Sequence, residues 1–224
     1  MAEEKQSRVV FLKFGKEEHL QQLVTEGEIF CNTFSYFKKK EQNSQRYDQD
    51  EFIDLYHQKE DVKGIIINGR KFQPAGPVKL TTGEVPYTHI FCLTAIRIDD
   101  LRDGDALYSE KSWEDFPGDH IVLIFNPAEF IHRLKSEIVR QGLRCEWRPI
   151  EYVDPQSYSG AMGPFKKLND FAWQQEYRIA VYHPEEFEEN RAVSLKLGAL
   201  TDIAYGPVHR SKCFNQVVAE EVRG

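Results

Sequence analysis

The stretch Phe165 to Tyr182, FKKLNDFAWQQEYRIAVY, holds a concentrated set of side chains able to do chemistry. Glu176 opens an apolar, β-rich run, with Gln174 two residues before it and Arg178 two after. Side chains alternate across a strand, so these three are expected on one face, with Tyr177 and Ile179 on the other. On that spacing Gln174 and Glu176 lie about 7 Å apart along the strand. A carboxylate, an amide and a guanidinium at the mouth of a core strand can form a site. The same pattern fits an edge strand whose polar face is solvated, and the segment alone leaves both readings open.

Other motifs with a known mechanism are missing. The chain has no G-x-G-x-x-G and no G-x-x-x-x-G-K-[ST], which argues against a Rossmann cofactor site and a P-loop. It also has no G-x-S-x-G elbow and no H-E-x-x-H helix. Glu129 and His132 form one E-x-x-H, whereas a di-metal bundle needs two with further Glu residues, so a solvated helix face is expected there. Asp99 to Glu110 mimics a calcium loop at its first, fifth, sixth and twelfth positions. Leu101 and Leu107 stand where that loop needs oxygen ligands, so a polar loop is expected. The His residues are scattered, His19 and His89 among them, and no metal site is expected.

The elements that must position these residues read mainly as strands. Arg8 to Phe14 is β-rich and apolar. Leu20, Leu23 and Val24 recur at helical spacing over Lys16 to Glu26, and Gly27 stands where a helix ends in a glycine. Glu28 to Cys31 reads as a second strand. Lys38 to Glu51 is polar and charged, which predicts a surface loop or exposed helix. Asn68-Gly69 between apolar runs predicts a hairpin over Ile65 to Phe72. Thr88 to Ala95 and His120 to Phe125 read as strands. Asn126-Pro127 then supplies a helix cap and first residue, with Phe130, Leu134 and Ile138 on one face and Gly142 at the end. Pro149 to Asp154 and Glu176 to Tyr182 read as strands separated by a Gly- and Lys-bearing loop, and Ser211 to Val222 reads as helix. Helices are not regularly interposed between the strands, so the expectation is an α+β fold rather than a doubly wound sheet. No repeat or linker is visible, which predicts a single domain over 1–224.

Composition bounds the function. The chain has 224 residues, 41% of them hydrophobic, and includes fifteen Phe, ten Tyr and three Trp, enough for a packed core. No apolar stretch approaches the ~20 residues of a bilayer span, and the first residues lack the basic-then-apolar order of a secretory signal. Cys31, Cys92, Cys145 and Cys213 lie too far apart for a zinc ribbon or a disulfide framework, so they read as reduced thiols of a cytoplasmic protein. The formal net charge of −7 argues against a non-specific nucleic-acid coat, but not against an enzyme that touches nucleic acid through a local basic patch.

The ordered set of segments resembles a known family. Phe11 to Phe37 (FLKFGKEEHLQQLVTEGEIFCNTFSYF) comes first, then a loop with Arg46, Asp48, Asp50 and Glu51, then Ile90 to Thr94 (IFCLT). Gly118 to Leu134 (GDHIVLIFNPAEFIHRL), Pro149 to Asp154 (PIEYVD) and Phe165 to Val181 (FKKLNDFAWQQEYRIAV) follow. In this order the chain resembles bacterial ADP-ribosyltransferase-like domains, in a branch with a Glu-Tyr-Arg ending. The resemblance covers most of the chain. It implies a split β-sheet with a few peripheral helices and NAD as the substrate. It also implies that Glu176 is catalytic, with Gln174 in the place of the Glu or Gln that precedes it by two. The family's Arg or His on the opening strand is replaced here by Lys13-Phe14, and Thr94 falls on the family's second motif strand.

Those residue types suit the implied chemistry. Breaking the N-glycosidic bond of NAD passes through an oxocarbenium-like state, and a carboxylate bonded to a ribose hydroxyl holds tighter as positive charge develops. Phe14 and Tyr36 are expected to sandwich the nicotinamide, and Lys13 or Arg178 to hold the pyrophosphate. Phe14 also fits as core, Thr94 as a plain strand residue, and Arg178 as a partner that orients Glu176. Asp48, Asp50 and Glu51 fit a solvated acidic loop or a supporting role at the site. The leading expectation is transfer of ADP-ribose to a macromolecular acceptor, protein or nucleic acid, as a toxin or phage-defence effector with an antitoxin or inhibitor as partner. NAD hydrolysis on the same fold and a non-enzymatic nucleotide- or protein-binding module are the rivals. Gln174 occurs in similar enzymes that act on Asn side chains or nucleobases rather than on Arg. Lys38, Lys39, Lys40 and Arg46, interleaved with Tyr36, Phe37 and Tyr47, fit either a solvated basic run or contact with a nucleic-acid strand.

Overall fold

The computed structural model describes residues 8–33, 36–37, 53–81, 88–100, 116, 118–182 and 191–213. It is a mixed α+β fold with a large antiparallel sheet and few helices. In chain order the first strands are β1 (Val9–Gly15), β2 (Glu28–Thr33), β3 (Leu55–His57), β4 (Ile65–Ile67), β5 (Arg70–Phe72) and β6 (Val78–Leu80). The middle ones are β7 (Thr88–Arg97), β8 (His120–Ile124), β9 (Arg144–Pro149), β10 (Glu151–Val153) and β11 (Gly160–Ala161). The last are β12 (Lys166–Leu168), β13 (Glu176–Tyr182), β14 (Val193–Lys196) and β15 (Ala204–His209). The helices are α1 (Glu17–Glu26), α2 (Pro127–Arg140) and the short α3 (Arg210–Cys213).

The opening reads as expected. Leu20, Leu23 and Val24 of α1 are buried, and Gly27 ends the helix at φ 65°. A Cβ on Gly27 would meet the Gly198 carbonyl oxygen at 2.0 Å, so both the backbone angle and the packing require glycine. Asn126 caps α2 by accepting from the Glu129 amide, with Pro127 behind it, and Phe130, Leu134 and Ile138 face the core. Asn68 and Gly69, both at positive φ, turn β4 into β5.

The sheet forks at β7. One edge of β7 pairs with β13 along its length, from Thr88↔Tyr182 to Thr94↔Glu176. The other edge is shared. His89 and Ile90 pair with Thr33 and Asn32 of β2, whereas Thr94 to Arg97 pair with Leu12 to Val9 of β1. Between those ladders lie Phe91, Cys92 and Leu93, where β1 and β2 diverge. One arm continues through β8 to β15, the other to β14. One face of the sheet carries the main core, with Phe11, Phe91, Leu93 and Ile179 under α1 and α2. The opposite face holds two smaller clusters, around Leu12 and Phe14 and around Ile90 and Phe165.

Three expectations need correction. The strand read over Pro149 to Asp154 is the junction of two strands, β9 and β10; β9 pairs with β13, and β10 pairs in parallel with β12. The intervening loop is likewise not a plain loop, because it contains β11, β12 and 3-10 turns. β13 is also no edge strand, since β7 and β9 flank it, so its polar residues face the interior. The Lys38 to Glu51 segment, with Asp48, Asp50 and Glu51, and most of Asp99 to Glu110 and Ser211 to Val222 lie outside the described residues.

Candidate active site

Glu176 is the first residue of β13, opposite Thr94, which is in turn opposite Leu12 of β1. The three side chains share one face of the sheet at the root of the fork. Thr94 and Glu176 are buried, at 3% and 6% exposure. The backbone that presents Glu176 is firmly held. Its amide donates to the Tyr152 hydroxyl at 2.9 Å, and its carbonyl accepts from Ile150 at 2.8 Å.

The carboxylate sits between two buried cations. Arg178 Nε donates to Oε1 at 2.6 Å, and Lys167 Nζ stands 2.8 Å from Oε2. Arg178 is fully buried and also donates through Nη1 to the Pro164 carbonyl. Burial pushes the Glu176 carboxyl up, but the charges of Arg178 and Lys167, with hydrogen bonds from Arg178 and the Cys92 thiol, outweigh it. The group is held well below the usual carboxylate range and is ionised. Cys92 is pushed up to about 12 by burial first and by the Glu176 charge second, so it remains a thiol.

Gln174 does not lie on the strand. It ends the 3-10 turn Asn169–Gln174, and Gln175 reverses the chain in the left-handed region at φ 43°, ψ 44°. Strand alternation therefore does not bring Gln174 to Glu176. Lys167 does, by donating to Gln174 Oε1 at 2.9 Å while pairing with Glu176.

Six of the seven residues named from the sequence line one cleft of about 660 Å³: Lys13, Phe14, Tyr36, Thr94, Gln174 and Glu176. The seventh, Arg178, is absent from the lining and stands behind the carboxylate, the orienting position. Lys13 reaches across the fork, donating to the Cys92 carbonyl at 2.7 Å with its ammonium 4.1 Å from the Phe91 ring centre. Phe14 is 7% exposed and stacks on Phe116 at 4.1 Å. It is therefore core on one side and cleft wall on the other. Tyr36 packs edge-on against Phe37, and both rings reach the cleft. The ionisable lining includes Lys13, Lys16 and Lys167 alongside Glu28 and Glu176, a local basic bias in an acidic chain.

Sequence reasoning missed Lys167 and Phe116. Lys166 and Lys167 alternate across β12, so one of the pair must point inward, and that was the available signal. Phe116 stands in no motif; only the fold brings it onto Phe14. Among the described residues no His, Cys, Asp and Glu cluster suited to a metal ion is present, and no helix is long and apolar enough to cross a membrane. No protein-family model, no curated protein and no solved structure matches the chain.

Proposed function

We propose that the cleft binds NAD as a substrate and that the protein transfers its ADP-ribosyl group to a macromolecular acceptor. The observation that carries this reading is the Glu176 carboxylate, buried and ionised at the root of a forked sheet and facing an aromatic cleft of a size suited to a small ligand. In the reaction, the bond between the nicotinamide nitrogen and the ribose carbon breaks, and the bonding pair leaves with neutral nicotinamide. The acceptor's lone pair forms the new bond to that carbon, and the acceptor proton passes to solvent. Positive charge grows on the ribose in between. A carboxylate has about four lone-pair sites, so Glu176 can keep Arg178 and Lys167 and still accept from a ribose hydroxyl. That contact strengthens as charge develops, which lowers the barrier rather than tightening ground-state binding. Phe14, Tyr36 and Phe37 offer ring faces and edges for the nicotinamide. Lys13 and Lys16 supply cationic donors for the pyrophosphate at the other side of the fork.

The test is incubation of the full chain with NAD and mass spectrometry of the products. A mass increase on added protein or nucleic acid supports transfer. Free ADP-ribose alone indicates hydrolysis in the same cleft, and intact NAD indicates a binding module.

A further inference from the structure

We propose that the hairpin of β4 and β5 is a binding arm that seats in a groove of duplex DNA. The two strands form a sheet of their own and pair with no other strand among the described residues. A two-stranded hairpin is marginal in water by itself, and this one also exposes its apolar side chains. Ile66 is 72% exposed, Ile67 56% and Phe72 49%. Ile66 and Ile67 point to opposite faces, so neither face of the ribbon is covered near its tip. Asn68 and Gly69 hold the turn at φ 50° and 76°, and a Cβ on Gly69 would meet nothing within 4 Å, so the tip is formed and open. An exposed apolar surface of this kind marks a contact with another molecule.

Charge and register say which molecule. Residues 62–80 hold Lys63, Arg70, Lys71 and Lys79 and no Asp or Glu, in a chain whose net charge is −7. The arm is therefore a cationic segment on an acidic protein, complementary to a polyanion. Lys71 lies directly opposite Ile66, and Arg70 directly opposite Ile67. Residues directly opposite share a face, so each face of the ribbon sets an isoleucine beside a cation. A membrane-surface element needs the reverse, an apolar face separated from a charged one. A protein interface keeps the core of its contact poor in charge. A DNA groove has phosphates along both edges and base edges with thymine methyl groups on its floor. The major groove, about 12 Å wide, admits a two-stranded ribbon. With the tip inserted, one face looks to each wall. Arg70 and Lys71 then reach phosphates on opposite strands, while Ile66 and Ile67 lie towards the bases. The hairpin shares no residue with the cleft, so this inference goes beyond the transfer reading and does not depend on it.

Fluorescence anisotropy of a labelled DNA duplex, titrated with the full chain in the absence of NAD over a range of salt, tests it. Log K against log [salt] should fall with a slope of about −3, as Lys63, Arg70 and Lys71 each displace counterions from a phosphate. Arg70→Gln with Lys71→Gln should flatten the slope to about −1. Ile66→Ser with Ile67→Ser should weaken binding by about tenfold at an unchanged slope, because apolar contact with bases is lost and phosphate contact is kept. All four side chains are exposed, so the variants should melt with wild type. Absence of duplex binding, or a slope unchanged by Arg70→Gln with Lys71→Gln, overturns the proposal. Tighter binding to phosphatidylserine vesicles or to polyglutamate than to the duplex overturns it as well, and gives the arm to a membrane or to an acidic protein. So does sedimentation of the chain alone as a dimer that Ile66→Ser dissociates, which gives the arm to a second copy. If the duplex is bound as expected while NAD stays intact, the transfer reading fails and the arm stands.

Discussion

Lys167 and Glu176 meet at 2.8 Å in the interior, with side-chain exposures of 5% and 6%. With Arg178 on the other oxygen, one carboxylate compensates two buried cations, so the site is built around its own ion pairs before any ligand arrives. Isolated buried ions cost several kcal/mol each, and only mutual pairing with good geometry offsets that. Any substitution in this trio therefore changes both the chemistry and the fold, and its tests must separate the two.

Glu176→Gln should lower nicotinamide release by about 100-fold or more, the cost of losing one electrostatic stabiliser of the transition state. The same substitution removes the negative charge between Lys167 and Arg178, so urea unfolding should show a loss of about 3–5 kcal/mol. NAD affinity of the folded fraction should change little, because the ground-state contact is between a carboxylate and a neutral hydroxyl. Retention of near-normal nicotinamide release per folded molecule would end the catalytic assignment.

Phe14 needs a gentler probe than truncation to alanine. Its ring is stacked on Phe116 at 4.1 Å and is almost wholly buried, so Phe14→Ala should cost about 3–5 kcal/mol of stability through the cavity left behind. Phe14→Leu keeps most of the volume and removes the ring face. Calorimetric titration should then show weaker NAD binding, by about two- to tenfold if one aromatic contact of about 0.5–1.5 kcal/mol is lost. Equal affinity in wild type and Phe14→Leu would remove Phe14 from the ligand wall.

Much of this arrangement was legible in the sequence, and the rest was hidden for specific reasons. Glu176 and Arg178 share a face because alternation is a local property of a strand, and β13 begins at Glu176 as read. Gln174 was misread because the non-glycine Gln175 takes a positive φ, which composition does not announce. β9 was not picked out as a strand of its own because RCEWRP lacks an apolar run and ends in proline, a strand-end residue. Lys167 depends on β10 and β12 pairing in parallel, a contact between remote segments. The position of Lys13 was readable, but its partner, the Cys92 carbonyl, is available only because the sheet forks there.

Stability should fall on the acid side through Glu137 as well as Glu176. Glu137 is 5% exposed near the end of α2. Hydrogen bonds from Arg140 lead, outweighing burial with help from the Lys196 amide and Gln141, and hold its carboxyl down to about 2 against an ordinary 4.5. A folded value below the unfolded one means that the contribution is complete above about 4.5 and is lost as pH falls from there towards 2. Because Arg140 is largely exposed, the contribution at neutral pH is on the order of 2 kcal/mol after screening. Glu137→Gln should therefore be less stable than wild type at neutral pH by that amount, and the gap should close as pH approaches 2. Urea midpoints measured across the range check this; a gap independent of pH would mean that the ion pair contributes nothing.

Gln175 offers the sharpest separation of stability from function. It holds φ 43°, ψ 44°, a left-handed conformation that costs a residue with a Cβ roughly 1–2 kcal/mol. Its carbonyl accepts from the Ala95 amide at 2.8 Å and its own amide donates to Ala172, so the backbone is pinned from both sides while the side chain is exposed. Gln175→Gly relieves the strain and deletes no buried contact. The extra freedom of glycine in the unfolded chain takes back part of that gain, leaving a net stabilisation of about 0.5–1 kcal/mol. The same residue is the only link between Gln174 and Glu176 along the chain. With glycine there, the peptide planes on either side rotate more freely, and the fixed offset between amide and carboxylate loosens. Activity should therefore fall by several-fold as thermal stability rises, in the pattern expected where strain is stored at a functional turn. Melting temperature and label incorporation, measured on the same preparation, decide it. If Gln175→Gly raises the melting temperature and leaves incorporation untouched, the strained turn only closes the fold. If it lowers the melting temperature, the side chain of Gln175 makes a contribution that its exposure conceals.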